Sequence, residues 1–290
     1  MVNEPRFYLE GRSGCVLELN MVAGSPVVTK YAKDEAYNAR LAKQANKQAD
    51  FSYPNSSQFA APAVLDRQFE GPDALHSFRM EYQYGLKYSD FVERISIPEI
   101  DILAQQFIQY FEHYRAQYLP TPVPAEVLDG KVASVEKAIA KNDLLNEPLA
   151  ARTLNFLRVH RPELPLEQGP CHGDFTLSNM IFQPTGKVFL IDFLDSFVES
   201  PLIDLVKLRQ DTEMHWSLMI EGELPRYRQN KIQQVLHYLD QRLVQYFTQV
   251  PNFEAWYLYF QVFNLVRILP YVHTPHEVAF VESHITRILP

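Results

Sequence analysis

Pro170-Cys171-His172-Gly173-Asp174-Phe175-Thr176-Leu177-Ser178-Asn179-Met180-Ile181-Phe182 runs through Gln183-Pro184-Thr185-Gly186-Lys187 into Val188-Phe189-Leu190-Ile191-Asp192-Phe193. Two apolar runs flank a proline- and glycine-bearing turn, so the segment is expected to form a β-hairpin. A four-residue turn at Pro184–Lys187 would set Asn179 opposite Asp192 at the open end. An amide oxygen and a carboxylate would meet there, both hard oxygen ligands of the kind magnesium accepts beside phosphates. Asp174, five residues before Asn179, lies in the loop entering that end, where its carboxylate could orient a hydroxyl or accept its proton. The plainer reading is a polar turn at His172–Asp174, with Asp192 capping the next segment of chain.

Around this hairpin the chain has the composition of a globular protein. Of 290 residues, 47% are hydrophobic and 13% aromatic, enough large side chains to build a core and exclude disorder as the main state. A formal charge of -8 argues against a nucleic-acid partner. No run approaches the roughly 18 apolar residues of a membrane span. The N-terminal residues lack a basic stretch followed by an apolar one, so no secretory signal is read. Cys15 and Cys171 have neither metal-ligand spacing nor disulfide density, and a cytoplasmic protein with reduced thiols is expected.

Residues 1–85 read as strands with one helix. Arg6–Leu9, Val16–Met21 and Pro26–Tyr31 are β-favouring, Asp34 suits the N-cap of a helix to about Asp50, and Ala63–Leu65 and His76–Tyr84 supply further strand signals. Beyond residue 98 the pattern turns helical. Ile100, Leu103, Phe107, Tyr110, Phe111, Tyr114 and Tyr118 recur at three- and four-residue steps. Helices are also expected near 126–145, 148–160, 201–220, 227–249 and 252–269. The expectation is an α+β chain with an N-terminal β-rich lobe, residues 1–85, a hinge at about 80–85, and a larger α-rich lobe, residues 86–290.

His172-Gly173-Asp174 with Asn179, then Ile191-Asp192-Phe193, resembles the catalytic signature of the aminoglycoside phosphotransferase and choline kinase group. That group is the small-molecule branch of the bilobal protein-kinase-like fold. The resemblance implies an ATP-dependent kinase acting on a hydroxyl group, with Asp174 as catalytic base and Asn179 and Asp192 holding magnesium on ATP. It implies that Glu10-Gly11-Arg12-Ser13-Gly14 covers the phosphates, with Gly11, Ser13 and Gly14 admitting backbone N–H groups. By the same resemblance Lys30 contacts the α- and β-phosphates, and the backbone of Glu81 and Gln83 in the hinge bonds adenine. His172 and Asp204 would serve structurally. Asp195 suits a second metal, the acceptor or a solvated position.

One residue type departs from the family pattern. A helix glutamate normally pairs with the strand lysine, yet Glu35 lies only five residues after Lys30. Tyr37, Leu41, Gln44 and Gln48 share one helical stripe, placing a neutral amide where a carboxylate is expected. Glu35 reaching back and merely solvated glutamines stay open beside that reading.

Only eleven residues separate Asp192 from Asp204, too few for a peptide-docking segment, so a small-molecule acceptor is expected: a sugar, an amino sugar or an amino alcohol such as choline. Asp211, Glu213, Glu221 and Glu223 form an acidic run that suits either an amino group or a solvated helix face. His215, His237, His273 and His276 show no metal-ligand spacing. The alternatives are a nucleotide-binding pseudo-enzyme with a regulatory or scaffolding role, and a protein AMP-transferase on the same fold.

Overall fold

The computed structural model describes residues 7–9, 15–69, 74–117, 119–222 and 224–289. The chain divides into two compact units, Met1–Phe91 with His172–Asp195, and Val92–Cys171 with Ser196–Pro290. This division differs from a cut at residues 80–85 by assigning the hairpin that follows His172 to the first unit.

The first unit is built on an antiparallel sheet of β1 (Phe7–Leu9), β2 (Val16–Val22), β3 (Ser25–Tyr31), β5 (Val64–Gln68) and β6 (Ser77–Glu81), in the order β1-β2-β3-β6-β5. Ala23 and Gly24 both take left-handed φ, 49° and 82°, and join β2 to β3 in a two-residue loop that matches strand twist. Helix α1 (Glu35–Asp50) starts at Asp34, whose carboxylate accepts the Tyr37 N–H at 2.9 Å. Its Tyr37, Leu41 and Ala45, four residues apart, share a core with Val28, Phe78 and Met80 of the sheet and with Cys15 just before β2.

A second, three-stranded sheet completes this unit. Strand β10 (Val188–Leu190) pairs antiparallel with β9 (Met180–Phe182) and parallel with β4 (Phe59–Ala60). Leu86 bridges to Phe182, donating its N–H at 2.8 Å and accepting one at 3.0 Å. The contact requires glycine at position 85, where a Cβ would come within 2.4 Å of Ile181 Cγ2 and 2.8 Å of the Phe182 carbonyl. These pairings tie the hairpin to the N-terminal segment.

The second unit is helical: α2 (Tyr88–Arg94) leads in from the first unit, followed by α3 (Ile97–Arg115), α4 (Ala125–Ile139), α5 (Glu147–Val159), α6 (Pro201–Thr212), α7 (Trp216–Ile220), α8 (Arg226–Phe247), α9 (Phe253–Ile268) and α10 (Pro275–Ile288), with a short pair β7 (Pro120–Thr121) and β8 (Leu166–Glu167). Helix α9 is nearly all buried, its Trp256, Tyr259, Phe260 and Phe263 filling the core against α5, α6 and α10. The continuous helix expected over 201–220 is broken in two, because His215 takes a left-handed φ of 60° and Asp211 accepts the Ser217 N–H at 3.0 Å. Helices α2 and α10 are additions to the elements expected from the sequence. The second announces itself in Thr274-Pro275-His276-Glu277, where the Thr274 hydroxyl accepts the Glu277 N–H and Glu277 accepts that of Thr274. Among the described residues no helix is long and apolar enough to cross a membrane.

Candidate active site

The site is assembled in the first unit by a turn, a hairpin and one strand. Gly173 has φ of +85°, which a side chain disfavours, and lets the chain reverse between His172 and Asp174. His172 is 1% exposed. Its Nδ1 accepts the Asp174 N–H at 3.2 Å, and its Nε2–H donates to the Ile191 carbonyl at 2.9 Å. Burial pushes the imidazole pKa down to about 4, so the ring is neutral at pH 7 and this tautomer satisfies both nitrogens. His172 thereby joins the Asp174 turn to the strand end that carries Asp192.

Asn179 closes a single 3₁₀ turn, Leu177–Asn179. Its amide Nδ2 donates to both the Asp174 carbonyl and Asp174 Oδ2, each at 2.9 Å, and so fixes the carboxylate. With Nδ2 committed this way, Oδ1 has no hydrogen bond among the described residues.

The hairpin register differs from the expected one. Phe182 pairs with Val188 and Met180 with Leu190, and Ile191 donates its N–H to the Asn179 carbonyl at 3.0 Å. Ile191, not Asp192, is therefore opposite Asn179. The cause is the turn. Gln183 bonds Lys187 at 2.9 Å around a three-residue loop, Pro184–Gly186, in which Gly186 supplies a left-handed φ of +83°. Removing one residue from the loop slips the register by one. Asp192 then follows the strand as a left-handed residue, φ +61°, a conformation aspartate tolerates better than most side chains.

Lys30, on the core face of β3 and 1% exposed, donates to Asp192 Oδ1 at 2.6 Å. Asp192 itself is 28% exposed. Asp192 is the only carboxylate paired with Lys30 among the described residues. None of the helix candidates reaches Lys30: Glu35 is exposed, Gln44 donates to the Tyr37 hydroxyl at 3.3 Å, and Gln48 donates to the Pro62 carbonyl at 2.9 Å. Asp195 forms an ion pair with Lys43 of α1 at 2.8 Å.

In the expected hinge, the Glu81 N–H is already taken by the Ala63 carbonyl at 3.0 Å, whereas the Gln83 backbone makes no hydrogen bond among the described residues. Gly11, Ser13 and Gly14 lie outside the described residues. Asp204, fully buried in the first turn of α6, accepts from the Tyr110 hydroxyl at 3.3 Å within the second unit. Of the acidic run, Glu223 lies outside the described residues, and the two earlier carboxylates do not form a solvated face. Asp211 is buried, and Glu213 pairs with Arg209 at 3.0 Å.

Among the described residues no group of three or more His, Cys, Asp or Glu side chains gathers as a metal site. The Asn179 amide oxygen and the Asp192 carboxylate nevertheless suit a hard divalent cation whose other ligands are phosphate and water oxygens.

The sequence matches the phosphotransferase enzyme family over residues 128–246. That span, under half of the chain, contains the His172–Asp192 hairpin. Aminoglycoside phosphotransferase APH(4)-Ia shares the fold at TM-score 0.60 and 15% identity, over 98% of this chain and 92% of its own. A thermostable mutant of that enzyme, in ternary complex with AMP-PNP and hygromycin B, gives 0.61 and 15%, with the same coverage. ADP-bound APH(2'')-Ib gives 0.50 and 14%, over 99% and 94%. The fold is therefore the α+β, protein-kinase-like fold of the aminoglycoside phosphotransferases. No curated protein matches the chain.

Proposed function

We propose that this chain is an ATP-dependent phosphotransferase that phosphorylates a hydroxyl of a small molecule, a sugar, an amino sugar or an amino alcohol such as choline. The observation carrying this reading is the joint fixing of Asp174, Asn179, Asp192 and Lys30 by one hairpin and one strand. The nucleotide and hygromycin B bound by the similar phosphotransferase support a nucleotide donor and a hydroxyl-bearing small acceptor.

Phosphoryl transfer asks for positioning and charge neutralisation rather than covalent chemistry by the protein. Asp174 would accept the hydrogen bond of the acceptor hydroxyl, keep the hydroxyl lone pair aimed at the γ-phosphorus and receive the proton as the new O–P bond forms, while the bond from the γ-phosphorus to the β,γ-bridging oxygen breaks and ADP leaves. The Asn179 amide holds that carboxylate in its rotamer. Lys30 donates to phosphate oxygens from β3, and the Gln83 backbone offers a donor and an acceptor to the adenine edge. Magnesium held by Asn179 Oδ1 and the Asp192 carboxylate supplies charge neutralisation on the triphosphate when bound.

The test is incubation of purified protein with Mg²⁺-ATP and pooled hydroxyl metabolites, read by mass spectrometry. Asp174→Asn is expected to lower kcat by about 10²- to 10⁴-fold, the usual loss of a general base, while leaving the melting temperature within a few degrees. Absence of any Asp174-dependent phosphorylated product would exclude the proposal. Nucleotide binding without turnover by either protein would favour a pseudo-enzyme, and a nucleotidyl adduct on protein would favour AMP transfer.

A further inference from the structure

Helix α1 and the C-cap residue Phe51 that ends it contact the segment after Asp192 through three residues spaced four apart. The Phe51 ring packs on Phe193 at 5.3 Å between centroids, Lys47 Nζ donates to the Leu194 carbonyl at 2.7 Å, and Lys43 pairs with Asp195 at 2.8 Å. The last turns of the helix and its C-cap therefore run along residues 193–195 in antiparallel order, with Lys43 and Lys47 on one i, i+4 ridge. Leu194 is gripped from both sides. Its N–H goes to the His172 carbonyl at 2.9 Å, and its C=O receives the Lys47 ammonium. Phe193 is wedged between Phe51 and the His172 ring, the latter at 4.3 Å.

These contacts bear on a strained residue. Asp192 holds a left-handed backbone, which persists only where its surroundings over-determine it. Backbone bonds flank it at Ile191 and Leu194, and Lys30 holds its side chain. The position on α1 where a carboxylate is expected offers only amides, and both are turned to other partners; Gln44 Oε1 is buried with no partner among the described residues. Helix α1 thus acts on the Asp192 turn through a cation on a carbonyl, not through an anion on Lys30.

Resting on the phosphotransferase reading, we propose that Lys47 is a positioning residue: its bond to the Leu194 carbonyl fixes the Asp192 turn and so sets the affinity for the divalent metal–nucleotide pair. Lys43 is the contrasting contact. It is 66% exposed and pairs with an Asp195 that is 46% exposed, so water competes for both ends.

The experiment compares wild type, Lys47→Met, Lys47→Gln, Lys47→Arg and Lys43→Met. The first readout is amide hydrogen exchange of residues 191–195 in nucleotide-free protein. The second is titration of Mg²⁺ at fixed fluorescent ATP analogue. Lys47→Met and Lys47→Gln are expected to speed exchange in 191–195 at least about tenfold and to weaken the apparent Mg²⁺ affinity by about 10- to 100-fold, the range seen when a partner behind a metal ligand is removed. Lys47→Arg should recover most of both, and Lys43→Met should change either by less than about threefold. Should Lys47→Met fail to fold, the Gln and Arg variants carry the same comparison. Unchanged exchange and unchanged Mg²⁺ titration in both Met and Gln variants would overturn the proposal, as would equal loss in Arg and Gln variants. Wild type that binds no nucleotide would refute the phosphotransferase reading, while exchange would still decide the Lys47 clamp.

Discussion

Two ion pairs, one in each unit, differ in how completely their charges are enclosed. Lys30–Asp192 is a single bond at 2.6 Å from a fully buried ammonium to a carboxylate that is 28% exposed. Arg209–Asp240 is bidentate at 2.9 and 3.0 Å, with both side chains about 10% exposed. Asp240 also accepts from the Thr212 hydroxyl at 2.8 Å, and the guanidinium pairs with Glu213 and lies 4.6 Å from the centre of the Tyr257 ring. Both Asp240 oxygens and the Nε and Nη2 donors of Arg209 have fixed partners, as a low-dielectric interior demands. The first pair keeps one carboxylate oxygen and a path to water. On the proposed phosphotransferase reading, the first pair exchanges partners with a metal–phosphate ligand and its open side suits that exchange; the second pair holds α6 to α8.

That contrast can be broken from the stable side first. Arg209→Met should lower stability by about 3–5 kcal/mol, because it leaves Asp240 as a buried, under-paired charge. Denaturant unfolding would show it, and a loss below about 1 kcal/mol would mean the network is dispensable.

The pH dependence of unfolding gives the next largest effect. His172 titrates near 4 in the folded chain and near 6.5 when unfolded. Between those values the unfolded chain binds more protons, so stability is full above about pH 6.5 and declines as pH falls toward 4, by about 3 kcal/mol in all. His172→Gln should flatten that segment of the curve, and an unaltered slope would assign it to other groups.

The smallest stability effect is expected at the site. Lys30→Met replaces the buried ammonium with an apolar chain of similar length and leaves Asp192 in contact with water, so stability should stay within about 1 kcal/mol of wild type. Activity should nonetheless fall roughly 10²-fold, the usual result of removing one preorganised donor from developing charge. If instead stability falls as far as in Arg209→Met, the two pairs are not different in kind.

Much of the site is legible in the sequence because it is local. His172, Gly173, Asp174 and Asn179 fall within eight residues, and Gly173 is dictated by a left-handed φ. The strand segments around Lys30 and the N-cap Asp34 are legible too, since alternation and capping are short-range signals. The one-residue slip at Asp192 is not. It depends on whether the turn closes over three or four residues, and Pro184-Thr185-Gly186-Lys187 is compatible with both. Nor can helical periodicity distinguish a stripe facing the sheet from the neighbouring one facing residues 193–195, because Gln44 and Gln48 are each one position from Lys43 and Lys47.

By itself, then, the sequence determined which groups are gathered: a carboxylate in a glycine turn, an amide five residues on, a second carboxylate after an apolar strand and a lysine in a β-favouring run. Only the tertiary structure decided their partners. Partner choice depends on register, on the rotation of α1 and on the parallel pairing of β10 with a two-residue strand more than a hundred residues earlier. These are long-range matters of packing and of satisfying buried polar groups, and short-range propensity carries no information about them.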